Sequence, residues 1–222
     1  MARPTKHHPE RGDARTRLLE AARDVIRKQG FAASSVDQLC QVAGVTKGAF
    51  FHQFGSKDAL GVAAADYWTD TTSAFFETAP YHSPSDPLDR VLAYIDFRKS
   101  IIAGTLPEFT CLVGTMAQEV YASAPAIRDA CARSIFGHAK TLETDISAAM
   151  KARGIRSDWT AASLARHMQT VIQGAFVLAK AADDPNVVRE SLDHLKRYVR
   201  FLFAVEAPSV PEHRSTPKRR KP

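Results

Sequence analysis

The chain has 222 residues, of which 45% are hydrophobic and 24% are charged, and its formal net charge is +6. This composition is typical of a folded globular protein and excludes a disordered or fibrous chain. No stretch approaches about 18 uninterrupted apolar residues, so the sequence predicts no transmembrane helix.

The positive charge is concentrated at the two ends of the chain. Residues 1–60 carry ten Lys/Arg and six Asp/Glu, and residues 206–222 carry five and two, whereas residues 61–205 carry fifteen and sixteen. Basic segments indicate a polyanionic partner such as DNA, because Lys and Arg that neutralise phosphates release counterions. Solvated charge that maintains solubility explains the same distribution equally well.

The three cysteines, Cys40, Cys111 and Cys131, lie far apart and have no CxxC or Cys/His ligand spacing. Their odd number, and an N-terminus with no apolar segment after its charges, argue against a secreted disulfide scaffold. The sequence therefore predicts a soluble cytoplasmic protein, and nothing in it indicates a bound metal or cofactor.

The first predicted helices are short and have clear ends. Apolar residues recur at helical spacing over residues 15–29, and Gly30 ends that helix. Ser35 as N-cap, with Gln38 three residues later, fits a capping box and predicts a second helix that stops at Gly44.

Polar residues and prolines mark the remaining helix starts. Thr46 is the expected N-cap of a third helix, and Ser56 opens a fourth that reaches about Ala79. Asp86 and Asp184 are each followed by Pro, which is a strong start signal. Helical patterns then predict helices near 87–103, 111–122, 125–153, 158–182 and 186–204, followed by a disordered basic tail. The predicted fold class is all-α.

The segment 35–54, SVDQLCQVAGVTKGAFFHQF, has the pattern of a helix-turn-helix. Gly44 lies where the chain must reverse, a conformation with positive φ that glycine adopts at little cost. Cys40 is small enough for the two helices to approach each other. The second helix begins with small or polar residues, Thr46, Lys47, Gly48 and Ala49. An ordinary structural helix pair has similar spacing, but the basic charge and the preceding support helix favour DNA binding.

This segment resembles the DNA-binding domain of the TetR family of bacterial regulators. The resemblance covers residues 15–60 and is carried by Gly30-Phe31, Ser34-Ser35-Val36, Ala43-Gly44-Val45-Thr46-Lys47-Gly48, Phe50-Phe51-His52-Gln53-Phe54 and Ser56-Lys57-Asp58-Ala59-Leu60. It implies a three-helix DNA-binding domain with a short arm over residues 1–57, a helical ligand-sensing and dimerisation domain over 58–205, and the tail over 206–222.

The resemblance also implies which residues contact operator DNA. They are Arg15, Ser34, Ser35, Thr46, Lys47, Gly48, His52 and Lys57, and most of these contacts go to phosphates. The family often has Tyr where this chain has Phe51, which cannot donate a hydrogen bond to phosphate, so packing is its expected role. Phosphate contacts position a protein without reading bases, and the operator sequence therefore cannot be deduced.

A homodimer and a small-molecule effector are further implications of the resemblance. The last two helices would pair with those of a second copy in a four-helix bundle, which implies a palindromic operator. The expected contact surfaces are the small residues around Gly174, followed by Leu178 and Ala179, and the apolar stripe from Val188 to Leu202. The alternative is that both face the monomer core.

An apolar cavity with a few polar groups suits a small effector. The candidate lining residues are Tyr94, Phe97, Ile101, Cys111, Met116, His138 and His167. Ordinary core packing is the competing explanation for the aromatic residues. The two histidines lie on different predicted helices without metal-ligand spacing, so no metal site is expected.

Cys111 is singled out because it opens a predicted helix, where the positive end of the dipole favours the thiolate. The stretch that it begins resembles a TetR subgroup whose members respond to electrophiles or small unsaturated acids. The alternative is a small buried residue with no reactivity.

The sequence thus predicts a ligand-responsive regulator, with repression released by the effector as the family default. A DNA-binding architectural protein remains an alternative and would have no preferred operator. An all-α enzyme is a weaker alternative, because the chain has no Gly-rich phosphate loop, HExxH, GxSxG or paired carboxylates placed with a base.

Overall fold

The computed structural model describes residues 13–204 and is helical throughout this range, with no β-strand. The all-α prediction is confirmed. The described helices are α1 (Ala14–Gln29), α2 (Val36–Ala43), α3 (Lys47–Phe54), α4 (Lys57–Glu77), α5 (Pro87–Ser100), α6 (Leu106–Phe109), α7 (Leu112–Val120), α8 (Pro125–Ala152), α9 (Ala161–Ala182) and α10 (Asn186–Ala204). A 3₁₀ turn, Pro80–His82, lies in the predicted loop before α5. The predicted N-terminal arm and basic tail fall outside the described residues.

Helices α2, α3 and α4 begin where a short polar side chain was predicted to cap them. Ser35, Thr46 and Ser56 each accept a hydrogen bond from the backbone N–H three residues later, over 3.0–3.1 Å. Each bond satisfies one N–H that has no partner within its helix, which stabilises the helix by about 1 kcal/mol. The capping box predicted at α2 is half formed, because the Gln38 amide pairs with Gln29 instead of returning to Ser35.

Two boundaries differ from the prediction. The segment 105–110, which lies between two predicted helices and was assigned to neither, contains the single turn α6. Glu108 fixes this turn by accepting hydrogen bonds from the Thr105 N–H and hydroxyl. Four residues are too few to show helical periodicity. Helix α9 begins at Ala161 rather than near 158, because Thr160 is its cap and exchanges hydrogen bonds with Ser163.

The buried residues form two clusters. The head core contains residues of α1–α4, α7 and the first half of α8, and Leu18, Phe50 and Met116 are fully buried in it. The body core contains residues of α5, the second half of α8, α9 and α10, with Tyr94 and Met168 fully buried. Helices α7 and α8 therefore complete the core of the helix-turn-helix unit.

The apolar stripe of α10 faces inward. Val188, Leu192, Leu195 and Val199 are at most 2% exposed and belong to the body core, and Leu202 is packed against it. The prediction that this stripe forms the dimer contact was wrong. Spacings of four and three residues identify a buried face, but they do not distinguish packing within one chain from packing between two. No helix within residues 13–204 is long and apolar enough to cross a membrane.

Candidate functional site

The turn of the helix-turn-helix is held in a left-handed conformation. Gly44 has φ +64°, and Cys40 is buried at the contact between α2 and α3, as predicted. Arg17 of α1 reaches across and donates hydrogen bonds to the carbonyls of Ala43 and Gly44, over 3.2 and 3.1 Å. Arg17 was missed in the sequence, where it is one of several charges on an amphipathic helix.

The N-terminal end of α3 is exposed, whereas the inward face of the helix is packed against the head core. Thr46, Lys47 and Gly48 face solvent, whereas Phe50 is fully buried in the head core. Asp37 forms an exposed ion pair with Lys47, with 2.6 Å between Oδ1 and Nζ, and this bond raises the pKa of Lys47. The backbone N–H groups of Lys47 and Gly48, with the lysine ammonium, can bind the phosphate backbone of DNA at this accessible helix start.

The other residues expected at DNA are placed around this end. Arg15 is exposed, donates to the Gln53 carbonyl over 3.3 Å and lies 4.7 Å from the Phe54 ring centroid. Ser35 and His52 are exposed, and Lys57 is half-buried, with its ammonium 4.5 Å from the Phe31 ring.

Two expectations in this region need correction. Ser34 is 1% exposed and its hydroxyl donates to the Gly30 carbonyl over 2.5 Å, so only Ser35 of the serine pair faces outward. Phe51, expected to pack, is 51% exposed and meets the Phe50 ring at 5.2 Å between centroids. Phe51 lies on the outer face of α3, so its ring adds to the exposed apolar surface and is not part of the head core.

A cavity of about 690 Å³ lies where the head core meets the body core. It is lined by side chains of α1, α4, α5, α6, α7, α8 and α9 together with the residues between them, and its volume is in the range of sites for drug-sized molecules. Three of the predicted lining residues, Ile101, Cys111 and His138, do line it.

A buried hydrogen-bond network supports one wall of this cavity. The Gln169 amide donates to the Tyr94 hydroxyl over 3.2 Å, and that hydroxyl lies 2.9 Å from Nε2 of His138. Since Tyr94 accepts from Gln169, its own proton is available for Nε2, which favours the tautomer with the ring proton on Nδ1. Burial, with a smaller effect of the nearby Arg98 charge, lowers the pKa of His138 to about 3. His138 is therefore neutral.

The remaining predicted ligand residues do not line the cavity. Tyr94 is fully buried behind His138, and Phe97 packs against the Phe76 ring at 5.7 Å between centroids. Met116 is fully buried in the head core, and His167 is exposed on the opposite face of α9. The helical spacing in the sequence places each of these residues on a helix, but it does not show which helix face borders the cavity.

Cys111 is the N-cap of α7, as predicted, and its Sγ accepts the Gly114 N–H over 3.4 Å. It is half-buried and lines the cavity, so a molecule in the cavity can reach the thiol. Cys40 and Cys131 are buried, and burial raises the pKa of the Cys131 thiol to about 12.

Three arginines at the cavity were missed in the sequence: Arg23, Arg27 and Arg98. Arg23 and Arg27 belong to α1, a helix that the sequence assigned to DNA-binding support alone. Arg27 donates from Nε to the Thr110 carbonyl over 2.9 Å and lies 5.1 Å from the Trp68 ring centroid. No local pattern could have found them, because the cavity depends on how α1 packs against α4 and α6.

Two family models match the chain. Residues 18–64 match the model described as bacterial regulatory proteins, tetR family, and residues 87–195 match a tetracyclin repressor-like C-terminal domain. The chain belongs to the TetR family. It is therefore a DNA-binding transcriptional regulator of a family that forms homodimers and responds to small-molecule effectors.

Individual TetR proteins are similar over nearly the whole length. The HTH-type transcriptional repressor DhaR of Mycobacterium sp. (strain GP1) is 26% identical over 90% of this chain and 96% of its own. The reduced form of Escherichia coli NemR has a TM-score of 0.73 at 22% identity, over 84% and 96% of the two chains. A cysteine mutant of the TetR-family regulator CifR, complexed with 26-bp double-strand operator DNA, has a TM-score of 0.70 at 19% identity, over 90% and 98%.

The TetR chain presents an apolar surface on its last two helices. Val177 and Leu178 on α9 are 43% and 59% exposed, and Tyr198 and Phe201 on α10 are 44% and 67% exposed. These four residues, here named the outer patch, lie on the faces opposite the body core. Leu178 is one of the residues expected at the dimer surface, whereas Val177, Tyr198 and Phe201 fall outside the main apolar stripes and were not predicted.

Proposed function

We propose that the chain is a cytoplasmic, homodimeric repressor without catalytic activity, which releases its operator when an effector enters the cavity. Residues 1–57 are assigned to DNA binding, 58–205 to sensing and dimerisation, and 206–222 to a basic tail. The observation that carries the proposal is the accessible start of α3, where Thr46, Lys47 and Gly48 face solvent while Phe50 and Phe54 anchor the same helix in the head core.

The proposed DNA surface consists of the exposed residues around α3. Thr46, Lys47 and Gly48 meet the major groove or its flanking phosphates, with Arg15, Ser35, His52 and Lys57 beside them. The ion pair between Lys47 and Asp37 is exposed, so opening it to engage a phosphate costs little. Ser34 is left out of this surface because its hydroxyl is buried.

The connection between cavity and DNA surface runs through α6 and α7. Glu119 of α7 accepts backbone N–H groups of Phe31 and Ala32, over 2.6 and 3.0 Å, and so holds the turn that leads into α2. Arg27 of α1 is bonded to the Thr110 carbonyl between α6 and α7. Since Cys111 and the α6 residues line the cavity, a ligand that displaces them moves both attachments, and with them the DNA-binding unit.

The outer patch is the proposed dimer surface. Exposed apolar side chains on adjacent faces of α9 and α10 would be buried against a second copy, which releases water from about four large side chains per protomer. A two-fold axis through this surface relates the two α3 helices of the dimer to each other, and a palindromic operator has the same symmetry.

The test is selection of bound genomic fragments with the purified full-length protein, followed by footprinting and titration of the best fragment at several salt concentrations. We expect a protected palindrome. Lys47→Ala should weaken its binding and reduce the salt-dependence slope by about 0.9 for each phosphate that the variant no longer neutralises. Lys140→Ala removes an exposed lysine from α8 and should leave both quantities unchanged.

Two outcomes would contradict the proposal. Binding without a preferred sequence would favour the architectural alternative, in which charge alone attracts DNA. An unchanged affinity and slope for Lys47→Ala, with an intact dimer, would remove α3 from the DNA surface.

A further inference from the structure

The cavity wall contains an arginine that forms no ion pair with any residue of the described chain. Arg98 of α5 lines it, and its guanidinium lies 5.2 Å from the Phe76 ring centroid and 5.9 Å from that of Phe176. Within residues 13–204 no carboxylate forms an ion pair with Arg98. By contrast, Arg90 and Lys99 on the same helix pair with Asp145 and Asp193, at 2.7 Å each.

The acidic groups at the cavity are engaged elsewhere. Asp24 pairs with its neighbour Arg23 at 2.7 Å, and the Glu108 carboxylate accepts the N–H and hydroxyl of Thr105. Arg27 has only the Thr110 carbonyl as a hydrogen-bond acceptor among the described residues, and burial is the main cause that lowers its pKa. Neither Arg27 nor Arg98 therefore forms an ion pair within residues 13–204, and the Glu108 and Asp24 charges act on Arg27 only from a greater distance.

Neutral hydrogen-bond donors adjoin these cations. In the tautomer that the Tyr94 contact favours, Nδ1 of His138 carries a proton and has no partner among the described residues. The Gln173 side chain also lines the cavity. Around these polar groups the walls are aromatic, with Trp68, Phe76 and Phe176 among them. A planar guanidinium fork beside aromatic rings fits a carboxylate carried on a flat apolar body.

We infer that the effector is an aromatic carboxylic acid, whose carboxylate pairs with Arg98 and whose ring system occupies the space between α1, α4 and α9. This inference rests on the proposed effector role of the cavity and adds the chemical class of the ligand. Inside the cavity, where little water reaches the ligand, the Arg98 guanidinium stabilises the negative charge of the carboxylate. Arg27 contributes further positive potential from α1. A neutral or cationic molecule of equal shape lacks that interaction.

The test compares three probes that share one ring system and differ in charge: 2-naphthoate, 2-naphthalenemethanol and 2-naphthylmethylammonium. Their affinities for the full-length dimer are measured by calorimetry, without DNA. We expect 2-naphthoate to bind about 10–100-fold more tightly than the alcohol, as one desolvated charge-assisted pair implies, and the ammonium to bind most weakly.

Variants separate the role of Arg98 from general effects. Arg98→Gln should remove the preference for 2-naphthoate while leaving the affinity for the alcohol within about twofold, which also reports that the cavity is intact. Arg128→Gln removes an arginine that pairs with Asp129 on the surface of α8 and should keep the preference. An Arg98→Gln protein that binds no probe is to be replaced by Arg98→Lys, which keeps the charge, loses the fork and should retain part of the preference.

Several results would overturn the inference. They are equal affinities for the three probes, a preference for the alcohol or the ammonium, no binding of any probe at millimolar concentration, and a preference that survives in Arg98→Gln. Covalent capture of neutral electrophiles at Cys111 without any charge preference would also overturn it. None of these results depends on the operator, so a failure here is distinct from a failure to select a DNA sequence.

Discussion

Acidification should destabilise this protein through His138, and the size of the effect follows from its surroundings. Burial beside Tyr94, with Arg98 nearby, lowers the pKa of the imidazole from 6.5 to about 3 in the folded state. Between these two values the unfolded chain binds a proton that the folded chain does not. The free energy of unfolding is therefore unaffected by His138 above pH 6.5, and it decreases as the pH falls below that value.

The expected loss is about 1.4 kcal/mol for each pH unit below 6.5, which gives about 2 kcal/mol per protomer at pH 5. For a urea dependence of about 2 kcal/mol per molar, the unfolding midpoint falls by roughly 1 M from this group alone. The assay is urea unfolding followed by circular dichroism from pH 8 to pH 5, at one protein concentration because dimer stability depends on it.

The comparison of two histidine variants isolates this contribution from those of other titrating groups. His138→Gln keeps a polar side chain beside Tyr94 but has no proton to bind, so its stability should decline about 2 kcal/mol less than that of the wild type over this range. His167→Gln alters an exposed histidine and should follow the wild type. If His138→Gln and the wild type lose stability in parallel, His138 is not held neutral and the reasoning is refuted.

Two further substitutions test the turn and the outer patch. Gly44→Ala adds a methyl group whose nearest neighbour is Arg17 Nη1 at 3.7 Å, so the cost comes from φ +64° rather than from a clash. It should be about 1–2 kcal/mol, or a melting temperature lower by roughly 2–8 °C, and an unchanged thermal transition would argue against the left-handed turn. Leu178→Glu should shift the protein from dimer to monomer in sedimentation equilibrium, whereas Phe136→Glu, which alters an equally exposed residue on α8, should not. A dimer that tolerates Leu178→Glu would place the interface elsewhere.

Local chemistry made the helix-turn-helix predictable. The caps Ser35 and Thr46 and the reversal at Gly44 each depend on neighbours within a few residues, so the sequence alone located them. The orientation of Ser34 was not accessible in this way, because its hydroxyl binds the Gly30 carbonyl at the preceding helix end while the adjacent Ser35 turns outward. Both are serines at the start of a helix, and only the packed structure distinguishes them.

The cavity and the dimer surface depend on contacts between distant segments, and prediction was correspondingly weaker there. Ile101, Cys111 and His138 were found, but Met116 proved to belong to the head core. An apolar residue at helical spacing is expected to be buried whether it lies in the core or lines the cavity. The residues that pack around it determine which of the two occurs. The α10 stripe illustrates the same limit, since its regular spacing marked the body core while the irregular Phe201 is exposed.

The presence of Arg23 and Arg27 in the cavity wall has a consequence for engineering. The helix that carries them also clamps the turn before α3 through Arg17, so one rigid segment serves both recognition events. If this regulator is engineered as a biosensor, substitutions on α1 should alter DNA binding in the absence of effector as well as the response to the effector. Randomising Arg98 and its neighbours on α5 and α9 instead would change which molecule is detected while leaving the unliganded baseline largely intact.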